Sequence, residues 1–161
     1  MDAEVGIIGV GTMGSMALWQ LARKGISVIG FEQFGIGHDR SAAGGETRIF
    51  RTVYKEGASY VPMLQRAYNL WRELEYESGS QLLTLTDGLV IGDPDLPSMN
   101  NALQSIERYD LDHEILSFTK ANKRYPQHRL ASNEIIVVDR MAGYLRPQYA
   151  IVLAVERAKE L

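Results

Sequence analysis

Gly9, Gly11 and Gly14 are spaced G-x-G-x-x-G, directly after the apolar residues Val5, Ile7 and Ile8 and directly before a helical pattern. That spacing can bind a pyrophosphate. The first glycine turns the chain off a strand. The second lets the backbone approach the phosphates, and the third lets the new helix pack closely on the strand. The N–H groups at the helix start then face the anion. Glu32 follows eighteen residues after Gly14 and closes a second apolar run. An acid there can accept hydrogen bonds from both ribose hydroxyls of an adenosine and would repel a 2′-phosphate. A third stretch, Ser41 to Arg51, reads SAAGGETRIFR. Gly44 and Gly45 permit left-handed backbone, Thr47 offers a hydroxyl, and Arg48 and Arg51 lie three apart. A helical turn would place both arginines on one face, where they could fix a carboxylate with paired hydrogen bonds. The competing expectation is that they are solvated or pair with Glu46 and Glu56.

Three elements must position these residues. Val5 to Ile8 reads as a buried strand, Met13 to Lys24 as a helix stopped by Gly25, and Ile26 to Phe31 as a strand buried on both faces. Together they make one βαβ unit. Gln33 to Thr47 reads as an irregular loop. Tyr60 to Gly79 is a long amphipathic helix with Val61, Leu64, Ala67, Tyr68, Trp71 and Leu74 inward and Pro62 in its first turn. Leu82 to Leu85 and Leu89 to Ile91 flank Thr86-Asp87-Gly88, a hairpin signal. Pro97 to Tyr109 is helical with Ser98 as a cap. His113 to Leu116 is a strand, Ser117 to Tyr125 a helix ended by Pro126, and Ile135 to Asp139 a strand. Gly143 to Pro147 reads as a turn, and Gln148 to Leu161 as a helix.

The fold class is therefore α/β: a Rossmann-like βαβ unit with an additional α+β segment whose strands form a separate antiparallel piece. A parallel sheet needs more than two strands, and the last helix resembles a crossover helix with no strand after it. The expectation is an N-terminal part of a longer fold; the alternative is that a partner chain or self-association supplies the rest. Residues 1–52 would form the dinucleotide-binding unit and its loop. Residues 53–161 would contribute helices and strands to that domain and to a substrate domain.

Composition narrows the classes further. Among 161 residues, 45% are apolar and 23% charged, as in a globular domain. A net charge of −3 gives no electrostatic reason to expect nucleic acid or an anionic membrane as partner. The start MDAEV is acidic and unlike a signal peptide, so cytoplasmic placement is the default. The chain has no cysteine, which excludes thiolate chemistry within it. His38, His113 and His128 share no metal-ligand spacing, so no metal site is expected and each reads as a surface or loop histidine.

Beyond the residues themselves, the sequence resembles the monomeric sarcosine oxidase and N-methyltryptophan oxidase family of D-amino-acid-oxidase-like flavoproteins. The matching stretches are IIGVGTMG, the acid after VIGF, GGETRIFR, Tyr54-Lys55-Glu56-Gly57 with Tyr60-Val61-Pro62, and Leu70-Trp71. Weaker matches are Thr86 to Leu89 and Ala142 to Pro147. The resemblance implies FAD as cofactor and oxidation of a secondary or N-methyl amino acid by oxygen. It implies a cofactor set of Gly9, Gly11, Thr12, Met13, Gly14, Glu32, Gln33, Arg40, Ser41, Gly45, Thr47 and Arg48. It also implies Arg48 beside the isoalloxazine ring and Arg51 on the substrate carboxylate. Two departures stand out: Ala43 and Gly44 occupy positions where that family carries histidines, and the cysteine that holds its flavin has no counterpart here. The glycine fingerprint and Glu32 by themselves leave open an NAD-dependent dehydrogenase. Ahead of that alternative stands a nucleotide-binding module without turnover, either truncated or completed by another chain.

Overall fold

The computed structural model describes residues 3–161. The chain divides into two compact units built from alternating segments. Unit 1 takes the residues up to Arg48, then Leu70–Leu83 and Leu145–Leu161. Unit 2 takes Ile49–Asn69 and Thr84–Tyr144.

Unit 1 carries β1 (Val5–Ile8), α1 (Thr12–Arg23) and β2 (Val28–Phe31). The two strands pair in parallel, Val5 opposite Val28 and Ile8 opposite Phe31. Closing the unit is the final helix, which packs its Ala150, Leu153 and Ala154 with Trp19 of α1 and with Leu74 and Leu82. Val155 joins Val10 and Leu18 in a smaller core. This packing explains the apolar spacing on α1. The expectation of strands buried on both faces fails. Ile8 is 93% exposed, and Ile29 and Phe31 are also exposed, because only two strands form this sheet and the helices cover one side of it.

In unit 2 the central strand is Ile135–Asp139. It pairs antiparallel with Gly88–Gly92 on one edge and His113–Leu116 on the other. In chain order the strands after β2 are β3 (Arg48–Phe50), β4 (Leu83–Leu85), β5 (Gly88–Gly92), β6 (His113–Leu116), β7 (Ile135–Asp139) and β8 (Gly143–Leu145). The helices after α1 are α2 (Val61–Ser78), α3 (Pro97–Tyr109), α4 (Phe118–Arg124) and α5 (Pro147–Glu160). One core of unit 2 lies between α3 and the sheet, with Met99, Ala102, Ile106 and Val137. Another lies under α4, with Leu116, Ala121, Ile136 and Val138. The antiparallel piece expected from sequence is this three-stranded sheet.

Three local expectations are corrected. β4 and β5 form no hairpin. Asp87 adopts left-handed backbone (φ 58°), and the chain passes from the sheet β3-β8-β4 to the sheet β5-β7-β6. Gly143 to Leu145 is strand rather than turn, because pairing in β3-β8-β4 outweighs the local glycine and proline signals. Ser98 lies inside α3. The N-cap is Leu96, without a side-chain cap, and Pro97 starts the helix. Among the described residues no helix is long and apolar enough to cross a membrane.

Candidate functional site

The glycine loop leaves β1 at Gly9, whose backbone is left-handed (φ 87°) and whose N–H donates to the Phe31 carbonyl at 2.8 Å. This ties the end of β1 to the end of β2. At Gly14 a Cβ would overlap the Gly9 carbonyl oxygen, so α1 packs on the strand end only because the side chain is absent. Gly11 is different. Its backbone is ordinary (φ −81°), and a Cβ would meet only Ser41 Cβ, at 3.9 Å. Left-handed backbone favours glycine at 9 and close packing demands it at 14, but neither applies at 11. A pyrophosphate lying against the loop is what would demand it. No side chain caps α1 and no acid stands in its first turn, so the amides of Thr12, Met13 and Gly14 keep their pull on an anion. Thr12 and Met13 are exposed beside them.

Glu32 follows β2 and reaches back to the residue after Gly9. Its Oε2 accepts from Val10 N at 2.8 Å and its Oε1 from Phe34 N at 3.0 Å. The Phe34 and Val10 amides hold the carboxyl below the usual glutamate range, against desolvation that raises it, and the nearby His38 lowers it further. His38, expected to be a plain loop histidine, is a partner of this acid. Its Nε2 lies 3.4 Å from Glu32 Oε1, and its Nδ1 accepts from Arg40 N at 3.0 Å. Spacing could not show this, since a loop of unknown path separates the two residues. Glu32 also borders a groove of about 630 Å³ in unit 1, lined in addition by Val10, Phe34, Ile36 and Lys159. Gln33 is exposed, and the Arg40 guanidinium lies over the Phe34 ring at 4.7 Å.

The segment after it forms a loop held by Arg48. This guanidinium donates to Thr47 O at 2.9 Å, to Ala42 O at 3.0 Å and to Gly44 O. Ser41 Oγ accepts from Ala43 N, and Gly45 is left-handed (φ 106°). Thr47 is exposed. Residues 48–50 are strand, so the conditional helical turn that would pair Arg48 with Arg51 does not form. Arg48 belongs to unit 1 and Arg51 to unit 2. Of the expected alternatives, Arg51 pairs with Glu56 at 3.0 Å, whereas Arg48 bonds to carbonyls. The Arg51 guanidinium also lies over the Tyr54 ring, 4.9 Å from its centroid.

Unit 2 contains a cavity of about 370 Å³. Its wall includes Arg51, Lys55, Asp87 and Tyr144, with Ile49, Leu89 and Val90 among its apolar residues. Asp139, fully buried at the end of β7, anchors this wall. Its Oδ2 accepts from Thr52 N at 2.6 Å and Val53 N at 2.8 Å. Its Oδ1 accepts from Thr52 Oγ1 at 2.9 Å and Met141 N at 3.0 Å. The residues that follow Arg51 are thus fixed to the central strand. Neither Asp139 nor Lys55 stands out in sequence as a site residue. An acid ending an apolar strand reads as solvated, and a single lysine carries no spacing signal.

Comparison with known proteins gives a consistent answer. Residues 4–161 match the family described as DAO, FAD dependent oxidoreductase. Monomeric sarcosine oxidase of Streptomyces avermitilis is 35% identical over 155 residues, which are 96% of this chain and 40% of that protein. An N-methyl-L-tryptophan oxidase of Yersinia pestis is 31% identical over 160 residues, 99% of this chain and 43% of that protein. The chain thus spans 40–43% of the length of these relatives. Among solved structures, a mutant of NikD, an unusual amino acid oxidase, superposes with a TM-score of 0.83 at 19% identity, covering 98% of this chain and 41% of that one. L-proline dehydrogenase from P. horikoshii gives 0.75 at 20% identity, covering 99% and 42%. At these identities the structural matches speak for the fold.

Proposed function

This chain belongs to the DAO family of FAD-dependent oxidoreductases, and from that membership we propose that it serves an oxidase of secondary or N-methyl amino acids with oxygen as acceptor. Unit 1 is the FAD-binding part and unit 2 contributes to the substrate part. The observation that carries the reading is Gly11. The fold does not require glycine there, and a bound pyrophosphate does.

The remaining cofactor residues fit the same reading. The amides of Thr12, Met13 and Gly14 take the pyrophosphate, and Glu32 takes ribose hydroxyls. Gln33, Arg40, Ser41, Gly45 and Thr47 border the path of the dinucleotide, and Arg48 holds their loop in shape through its three carbonyl contacts. When bound, FAD supplies the two-electron acceptor that no side chain can replace. Arg51 anchors the substrate carboxylate with a planar fork of donors, and Glu56 holds that fork in the meantime with a carboxylate of its own. Anchoring the carboxylate fixes the amine-bearing carbon, which is the positional part of catalysis.

A second reading is favoured by one observation: the chain spans 40–43% of its relatives. On that reading it binds nucleotide without turnover until another chain or further sequence completes it. A single experiment separates the two. The purified protein is titrated with FAD, followed by flavin absorbance and fluorescence, and then given N-methyl amino acids with hydrogen peroxide as readout. Flavin binding with peroxide supports the oxidase, and flavin binding without peroxide supports the module. Absence of flavin binding overturns both.

A further inference from the structure

The cavity of unit 2 contains a cation that the anchoring role of Arg51 does not use. Lys55 is half-buried on its wall. Its ammonium donates one described hydrogen bond, to the Ile91 carbonyl at 3.2 Å, and makes no ion pair among the described residues. An ammonium carries three donors, and a partly desolvated charge is unfavourable until a counter-charge or further acceptors reach it. The two carboxylates on the same wall are committed elsewhere. Asp87 accepts from Arg140 Nη1 at 2.6 Å, and Asp139 is saturated by Thr52, Val53 and Met141. The base of the lysine is also fixed, since its carbonyl accepts from Asn101 Nδ2 at 3.1 Å. Arg51 and Lys55 thus present two cationic groups to one cavity, with apolar surface from Leu89 and Val90 on the same wall. About 370 Å³ corresponds to roughly twelve water volumes at about 30 Å³ each. That is about twice the number of heavy atoms in an N-methyl amino acid without a side chain.

We propose that Lys55 is a specificity-determining residue that binds a second carboxylate, so that the preferred ligands are acidic N-alkyl amino acids with a carboxylate at each end. The proposal rests on the reading of Arg51 as the first carboxylate anchor. Methylenes between the two carboxylates would lie along the apolar wall, and the side-chain carboxylate would take the unused ammonium donors.

The probes are glutarate and its monoamide glutaramate, which have the same heavy-atom skeleton but carry two charges and one. Binding to the 161-residue chain is followed by amide shift perturbation at neutral pH and constant ionic strength. Wild type should prefer glutarate by roughly tenfold, the size of one charge-assisted contact. Lys55→Met should bring that ratio close to one, and Lys55→Arg, which keeps the charge, should retain most of it. A wild type without preference, or a Lys55→Met variant that keeps the full ratio, overturns the proposal. Arg51→Met tests the underlying reading separately, since it should weaken both probes. If it weakens neither while Lys55→Met still removes the ratio, the anchor assignment fails and the second-carboxylate site stands.

Discussion

At the glycine loop of unit 1, the groups that would hold a ligand are backbone amides at a helix start, with no side chain closing over them. On the cavity wall of unit 2 they are side chains, and most are already bonded to one another: Asp139 to three neighbouring residues, Arg51 to Glu56, Asp87 to Arg140. Amides fixed by a helix need no internal partner, because water satisfies them cheaply until an anion arrives. A buried carboxylate such as Asp139 cannot wait in that way. It must be paired, and the pair sets the shape of the wall. On the proposed reading, recognition in unit 1 would therefore rest on backbone geometry, and in unit 2 on side-chain exchange.

The largest expected effect tests the unit 2 half of this contrast. Asp139→Ala leaves several buried donors without partners and should cost roughly 3–5 kcal/mol of stability, at about 1–3 kcal/mol per unsatisfied group. Urea denaturation followed through unit 2 probes would measure it. A loss below 1 kcal/mol would mean the carboxylate is not what fixes the wall.

Next come the two loop glycines, which separate fold from binding. Gly14→Ala should cost about 1–3 kcal/mol through overlap with the Gly9 carbonyl. Gly11→Ala should alter stability by less than about 1 kcal/mol. Gly11→Val should nevertheless reduce FAD affinity by more than tenfold, about 1.4 kcal/mol. If the valine variant binds FAD normally, the loop is a turn and the backbone half of the comparison breaks.

Arg51 should behave the opposite way to Gly14. Its ion pair with Glu56 is exposed, so Arg51→Met should change stability by about 1 kcal/mol or less. Carboxylate binding should fall about ten- to a hundredfold, with flavin content unchanged. Equal loss for ligands with and without a carboxylate would show that the arginine is structural.

The smallest effect concerns pH. Burial raises Glu75, but the amides of Leu83 and Leu82 and the Arg72 guanidinium outweigh it and hold the carboxyl below the usual range. A depressed carboxyl gives stability that is present above its unfolded pKa, about 4.3, and is lost as pH falls through the folded value. Glu75→Gln should therefore cost about 1 kcal/mol at neutral pH and progressively less in acid. A pH-independent difference in melting temperature would contradict this.

Local signals carried much of the fold. The stretches Pro97 to Tyr109, His113 to Leu116 and Ile135 to Asp139 form the elements their periodicity implies. The failures were non-local. Gly88 to Gly92 pairs with a strand far along the chain instead of its neighbour, and no local pattern encodes that choice. The site divided along the same line. Glu32 and Asp139 both end apolar strands, yet only Glu32 drew an expectation from sequence, because its distance from the glycines has meaning. Asp139 gains its meaning only from Thr52 and Val53, more than eighty residues earlier in the chain.

The alternation of segments between the two units also orders events during synthesis. Helix α1 leaves the ribosome early, but the residues of α5 that cover Trp19 and Leu18 lie in the last seventeen positions. At about 5–20 residues per second, the stretch from Lys24 to Leu145 takes roughly 6–24 s to translate. Throughout that interval the apolar stripe of α1 has no native cover from α5, whereas the later segment of unit 2, Thr84–Tyr144, is complete by its end. Unit 1, first in sequence, thus closes after unit 2, and the nascent chain must be shielded longer at its oldest helix.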